Sequence, residues 1–143
     1  MDYLTSYDPD EEFLRLVATG AIERFGHREH LRLALLSARA STTADDVTAR
    51  CRAGIRAVAS AKGAPGMYHE TITAAWAAIM LDAAGALPEA SFEELLARRP
   101  ALAEPGYLAR FYSAELLASE RARVARLAPD RAALPELRGG ARC

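Results

Sequence analysis

The stretch MYHETITAAWAAIMLDAAG, residues 67–85, is the most apolar part of the chain and decides its fold class. Its large apolar residues recur at spacings of three and four, which is typical of an α-helix, and Asp82 is the only charged residue after Glu70. A helix that is apolar on most sides has to be covered by other elements. The stretch therefore predicts a central helix packed inside a bundle.

The segments on either side of it supply further helices. Capping residues, prolines and glycines mark their ends, and no segment alternates polar and apolar residues for long enough to predict a strand. The predicted helices cover roughly residues 9–20, 22–40, 44–62, 67–85, 91–99 and 107–127. The fold class is therefore all-α: a compact bundle of four main helices plus one or two short ones. We expect a single domain over residues 1–130 and a flexible tail over 131–143.

Composition restricts the partners and the compartment. The chain has 18 basic and 19 acidic residues and a net charge of −1, whereas a nucleic-acid partner requires a clustered basic surface. No stretch approaches the ~20 apolar residues of a membrane span, and the N-terminal sequence lacks the pattern of a signal peptide. We expect a cytoplasmic protein without a nucleic-acid or membrane partner, and a homodimer is left open. Cys51 and Cys143 are too few for a disulfide framework, and their role is left open.

The three histidines are the main functional signal. His27 and His30 lie three residues apart, on one face of the second predicted helix, and away from its arginines. His69 lies on the apolar face of the central helix, near the N-terminus of that helix, where the neutral imidazole is favoured. Three inward histidines each need a partner for their nitrogens.

One divalent metal ion bound by His27, His30 and His69 would satisfy all three rings. Three neutral nitrogens suit Zn, Cu or Fe(II) and leave coordination positions open for water or substrate. The alternative is structural: His27 and His30 half-exposed near a helix end, and His69 a capping or core histidine bonded to a carbonyl. We take the metal site as the leading expectation.

Four further residues are candidates for catalysis around such a metal. Glu70 follows His69 and could act as a ligand, as a general base or simply as an acid in the first turn of a helix. Glu115 falls within the apolar face of the last predicted helix, so it could hydrogen-bond a histidine, bind the metal or pair with an arginine. Tyr68 and Tyr112 could each donate a hydrogen bond to a ligand.

The histidine segments also carry a resemblance to other proteins. Phe25-x-His27-x-x-His30-Leu31, then Tyr68-His69-x-Thr71 and the aromatic stretch Phe111-Tyr112-Ser113, resemble segments of a set of small uncharacterised bacterial all-helical proteins. The similarity covers about residues 20–130. It implies that the histidine segments belong together, and it implies no activity.

Two functions from different classes follow from the residues. The leading hypothesis is a metal-dependent enzyme acting on a small molecule: a hydrolase or lyase with zinc, or an oxidase or oxygenase with copper or iron. The alternative is a non-catalytic accessory protein that binds a metal or a small ligand. A third reading is a helical interaction protein, in which an exposed stripe of Arg28, Arg32 and Arg39 is the docking face.

Overall fold

The computed structural model describes residues 7–135, and these contain helices, turns and loops but no strand. The all-α prediction is confirmed. The four main α-helices are α1 (Pro9–Thr19), α2 (His27–Arg39), α3 (Ala44–Ala61) and α4 (Glu70–Ala86). Shorter ones follow: α5 (Phe92–Arg98), α6 (Ala114–Ala118) and α7 (Glu120–Val124), with 3-10 helices at Pro65–Met67, Pro100–Ala103 and Tyr107–Arg110. None of the helices in this part of the chain is long and apolar enough to cross a membrane.

The core lies around α4, which packs against both α2 and α3, as its apolar sequence predicts. Ala75, Ala77 and Ala83 are fully buried, and these small side chains leave room for the neighbouring helices. Helix α1 packs against α3. Gly20 ends α1 with a φ of +75°, and a Cβ there would lie 2.5 Å from the Cβ of Ala61. Only glycine fits this turn.

The second helix begins later than predicted, at His27 rather than near residue 22. Gly26 is its N-cap, and the Glu29 carboxylate accepts a hydrogen bond from the Gly26 N–H at 2.7 Å. This one-sided cap helps to fix the first turn of α2, and residues 21–26 form the connection before it. The two histidines of α2 therefore lie in the first turn of a helix, next to a loop.

The prediction of one continuous helix over residues 107–127 is wrong. A 3-10 helix, α6 and α7 take its place. The hydroxyl of Ser113 accepts from the Leu116 N–H, and that of Ser119 accepts from the Ala122 N–H, both at 3.1 Å. Ser119 is at once the last cap of α6 and the first cap of α7, with an extended backbone. Serine capping thus restarts the helix instead of continuing it.

Buried Thr71 attaches the segment after α7 to the start of α4. Its hydroxyl donates to the Ala125 carbonyl at 2.7 Å and accepts from the Leu127 N–H at 3.1 Å. Further along, the Arg131 N–H donates to the Phe111 carbonyl at 2.9 Å. Of the tail predicted over residues 131–143, the structure describes 131–135, which are not helical. Residues 136–143, with Cys143, lie outside the described range, so the predicted flexibility of the tail stays a prediction.

Candidate small-molecule pocket

One pocket of about 320 Å³ lies between the start of α2, the middle of α3 and the start of α4. His27, His30 and His69 all line it, so the structure brings the three histidines of the chain to one cavity. Its other walls are mostly apolar, and within residues 7–135 no Arg, Lys, Asp or Glu side chain lines it. The lining also contains Gly26, Ala34, Cys51, Ile55, Met67, Ile72, Thr73 and Trp76. We call this cavity the histidine pocket.

His27 is the first residue of α2, and its ring is fixed by a backbone carbonyl. Nε2 lies 3.0 Å from the carbonyl oxygen of Leu102, in the 3-10 helix Pro100–Ala103. Since a carbonyl can only accept, Nε2 carries the proton, and Nδ1 of the neutral ring is left as an acceptor. The edge of the ring also packs against Trp76, with centroids 5.3 Å apart.

His30 lies three residues after His27, and its bond to a backbone carbonyl fixes the other tautomer, with the proton on Nδ1. Its Nδ1–H donates to the carbonyl oxygen of Gly26 at 2.9 Å, so Nε2 of the neutral ring is left as an acceptor. Phe25 packs on the ring, with centroids 4.3 Å apart. Burial lowers the pKa of His30 below its ordinary value of 6.5, although the Gly26 hydrogen bond opposes this shift. His30 therefore favours the neutral form.

His69 differs from the other two because both of its ring nitrogens have protein partners. Nδ1 accepts from the Ile72 N–H at 3.1 Å, and Nε2–H donates to the Leu117 carbonyl at 2.8 Å. Helix α4 begins at Glu70, later than the sequence predicts, so His69 is its N-cap rather than a residue of its first turn. The geometry of His69 matches the structural alternative, a capping histidine bonded to a carbonyl.

These hydrogen bonds bear directly on the expected metal site. His27 and His30 each keep one nitrogen free of protein partners among residues 7–135, and a backbone carbonyl orients the ring through the other nitrogen, as is usual for metal-binding histidines. His69 would have to give up its cap or its bond to Leu117. In the same range, no three His, Cys, Asp or Glu side chains form a group that could hold a metal ion. The three-histidine metal site therefore stays a hypothesis.

Glu70 and Tyr68 lie beside the histidine pocket, but they are absent from its lining. Glu70 accepts from Arg52 through both carboxylate oxygens, at 3.1 and 2.8 Å, and from the Tyr68 hydroxyl. Hydrogen bonding from Arg52 holds the pKa of Glu70 below its usual value. Burial, in turn, raises the pKa of Tyr68. Of the roles considered for Glu70, its surroundings match an acidic residue in the first turn of α4, with Arg52 as its partner.

Glu115 and Tyr112 also lie away from the pocket lining. The prediction of an inward Glu115 is wrong: its side chain is exposed in the first turn of α6. It assumed the periodicity of one long helix, and the break at Ser113 places Glu115 two residues after a new N-cap. Tyr112 is buried within the core, at 2% exposure, and burial raises its pKa. The catalytic roles proposed for these two residues stay predictions.

Other lining residues carried little signal in the sequence. Trp76 and Cys51 are both buried, and each also forms part of the pocket wall. Burial raises the pKa of the Cys51 thiol to about 11, so it is a packed neutral thiol rather than a ready metal ligand. The carbonyls of Leu102 and Leu117, which fix two of the rings, are backbone groups that no sequence motif could reveal.

Comparison of the chain with protein-family models, with curated proteins and with solved structures finds no significant match. The function therefore has to be argued from the geometry of the pocket.

Proposed function

We propose that the chain binds a small, mainly apolar molecule in the histidine pocket. The observation that carries the proposal is the convergence of all three histidines on one cavity of about 320 Å³ whose other walls are mostly apolar. Small-molecule sites are typically apolar cavities of ~300–1,000 Å³ with a few polar groups that orient the ligand. His27 and His30 supply such groups, because each has one nitrogen without a partner among residues 7–135.

The proposal is tested by blocking the pocket. Met67 lines the pocket and is only partly buried, so Met67→Trp would fill it at small cost to the core. Val124 is 70% exposed and is not part of the lining, so Val124→Trp is a matched control. Toluene and phenol, followed by ¹H–¹⁵N spectra, should shift the amides of the pocket in the wild type and the control but not in Met67→Trp. Binding of neither probe, or unchanged binding in Met67→Trp, would contradict the proposal.

The second candidate is the metal-dependent enzyme, in which one Zn, Cu or Fe ion is bound by His27, His30 and His69. It is favoured by the carbonyl bonds that orient His27 and His30, each leaving a nitrogen for a metal. It also requires His69 to release one of its two partners. Metal analysis of tag-free protein should then find about one ion per chain, and His30→Ala should lose it. Failure to take up added zinc, copper or iron would exclude this candidate.

A cytoplasmic location and the absence of a nucleic-acid partner complete the proposal. The absence of a nucleic-acid partner rests on the near-zero net charge of the sequence, and the cytoplasmic location stays a prediction.

A further inference from the structure

We infer that the ligand of the histidine pocket is an uncharged aromatic molecule with a hydrogen-bond donor, such as a phenol. The donor hydrogen-bonds to the free nitrogens of His27 and His30. The inference rests on the proposed function and specifies the class of molecule. Three features of the pocket carry it: the tautomers of the two rings, the absence of charged groups from its lining, and the aromatic wall.

The two tautomers determine what the pocket offers a ligand. The hydrogen of His27 is directed to the Leu102 carbonyl and that of His30 to the Gly26 carbonyl. The nitrogens that remain, Nδ1 of His27 and Nε2 of His30, carry lone pairs and can only accept. A ligand that contacts them has to bring the hydrogen itself. Ethers, ketones and other molecules that only accept hydrogen bonds would place their lone pairs against those of the two nitrogens, with no hydrogen between them.

Both free nitrogens are accessible. Among residues 7–135, no buried side-chain nitrogen or oxygen lacks a hydrogen-bond partner. Neither Nδ1 of His27 nor Nε2 of His30 has a protein partner in this range, and both residues are only partly buried. Their free nitrogens therefore reach solvent. Since both rings line the pocket, a molecule that enters it can hydrogen-bond to these atoms.

The lining selects against charged ligands. In the part of the chain that the structure describes, no Arg or Lys lines the pocket, so a carboxylate or phosphate would lose its water without gaining an ionic partner there, and it would also meet two lone pairs. No Asp or Glu of these residues lines the pocket either, so an ammonium group would have no counter-ion among them. A neutral donor such as a hydroxyl or an aromatic N–H avoids both costs.

The walls favour an aromatic body. Trp76 lines the pocket and is held between the rings of His27, at 5.3 Å, and Tyr107, at 5.6 Å. The flat ring of an aromatic ligand can pack against this fixed indole at little entropic cost. Ile55 and Ile72 provide aliphatic surface in the same cavity. A substituted benzene matches these walls better than a sugar or another polar molecule does.

The test compares phenol, anisole, toluene and benzoate, which share a benzene ring and differ in the polar group. The dissociation constant of each is measured by ¹H–¹⁵N titration of the wild-type chain. Phenol should bind about fivefold more tightly than anisole or toluene, the factor that one ordinary hydrogen bond provides, and benzoate should bind most weakly. In His30→Leu the preference for phenol over anisole should shrink, while Glu89→Gln, at an exposed residue outside the pocket lining, should keep it.

The outcomes separate this inference from the proposed function. Equal affinity for phenol, anisole and toluene would overturn the donor inference and leave a general apolar pocket. Tightest binding of benzoate would also overturn it. Binding of none of the four probes would contradict the proposed function itself. If His30→Leu is too unstable to measure, His27→Leu serves the same purpose, because its free nitrogen is the other acceptor.

Discussion

The ring of His69 joins the start of α4 to the end of α6, because its Nε2–H donates to the carbonyl oxygen of Leu117 at 2.8 Å while Nδ1 caps α4 through the Ile72 N–H. One imidazole thus satisfies two backbone groups that are 45 residues apart in sequence (117 − 72). It also lines the histidine pocket, so the position of this wall depends on α6.

Two substitutions of His69 should distinguish the stability contribution of its N-cap bond from that of its bond to Leu117. His69→Ala removes both and should lower the free energy of unfolding by about 1–3 kcal/mol. Asparagine is a good N-cap but is too short to reach Leu117 as well, so His69→Asn should lose only about half as much. Urea unfolding measures both variants. Equal stability of the alanine and asparagine variants would show that the ring does not cap α4.

Thr71 is expected to be more important for stability than its small size suggests. Thr71→Val keeps the shape but leaves the Ala125 carbonyl and the Leu127 N–H without their partner, so the free energy of unfolding should fall by about 1–3 kcal/mol. Thr71→Ser keeps the hydroxyl and should cost clearly less. Thermal and urea unfolding of the pair measure the difference. A valine variant as stable as the serine variant would refute this role.

The Glu70–Arg52 pair should stabilise the fold and do so in a pH-dependent way. The Glu70 side chain is only 14% exposed, so Glu70→Gln should cost about 1–2 kcal/mol. Its pKa is lowered by Arg52, so the stabilisation is present above the ordinary carboxylate pKa and is lost as the pH falls through the lowered value. The control is Glu93→Gln, in a pair with Arg28 that is mostly exposed and should contribute little. Equal loss in both variants would contradict the prediction.

His30 should produce a second pH dependence, at higher pH. Burial lowers its pKa in the folded chain below the ordinary 6.5, so the unfolded chain takes up the proton first as the pH falls. The contribution of His30 is therefore complete above the ordinary pKa and is lost as the pH falls through the lowered one. Melting temperatures between pH 7 and pH 5 should fall less in His30→Gln than in the wild type. The carboxylates with lowered pKa values take up protons at a pH below this range of pH 5 to 7; they are Asp46, Glu70 and Asp130. Identical pH profiles would refute the assignment.

The sequence predicted the four main helices because periodicity and capping residues locate a long helix. A histidine on the apolar face of such a helix faces the neighbouring helices, and His30 lies in the wall of a pocket between them. The role of His69 could not be read in the same way, because a helix that starts two or three residues later turns an inward ligand into an N-cap. The placement of Glu115 failed because Ser113 and Ser119 compete locally with the helix they interrupt.

We expect His27 and His30 each to present one unprotonated nitrogen to a pocket that takes up a small donor. Long-range ¹H–¹⁵N spectra of the imidazoles, recorded at neutral pH with and without phenol, test it most directly. The proton should be on Nε2 in His27 and on Nδ1 in His30, and phenol should shift mainly the opposite nitrogen of each ring. Reversed tautomers, or histidine nitrogens that do not respond to phenol, would contradict it.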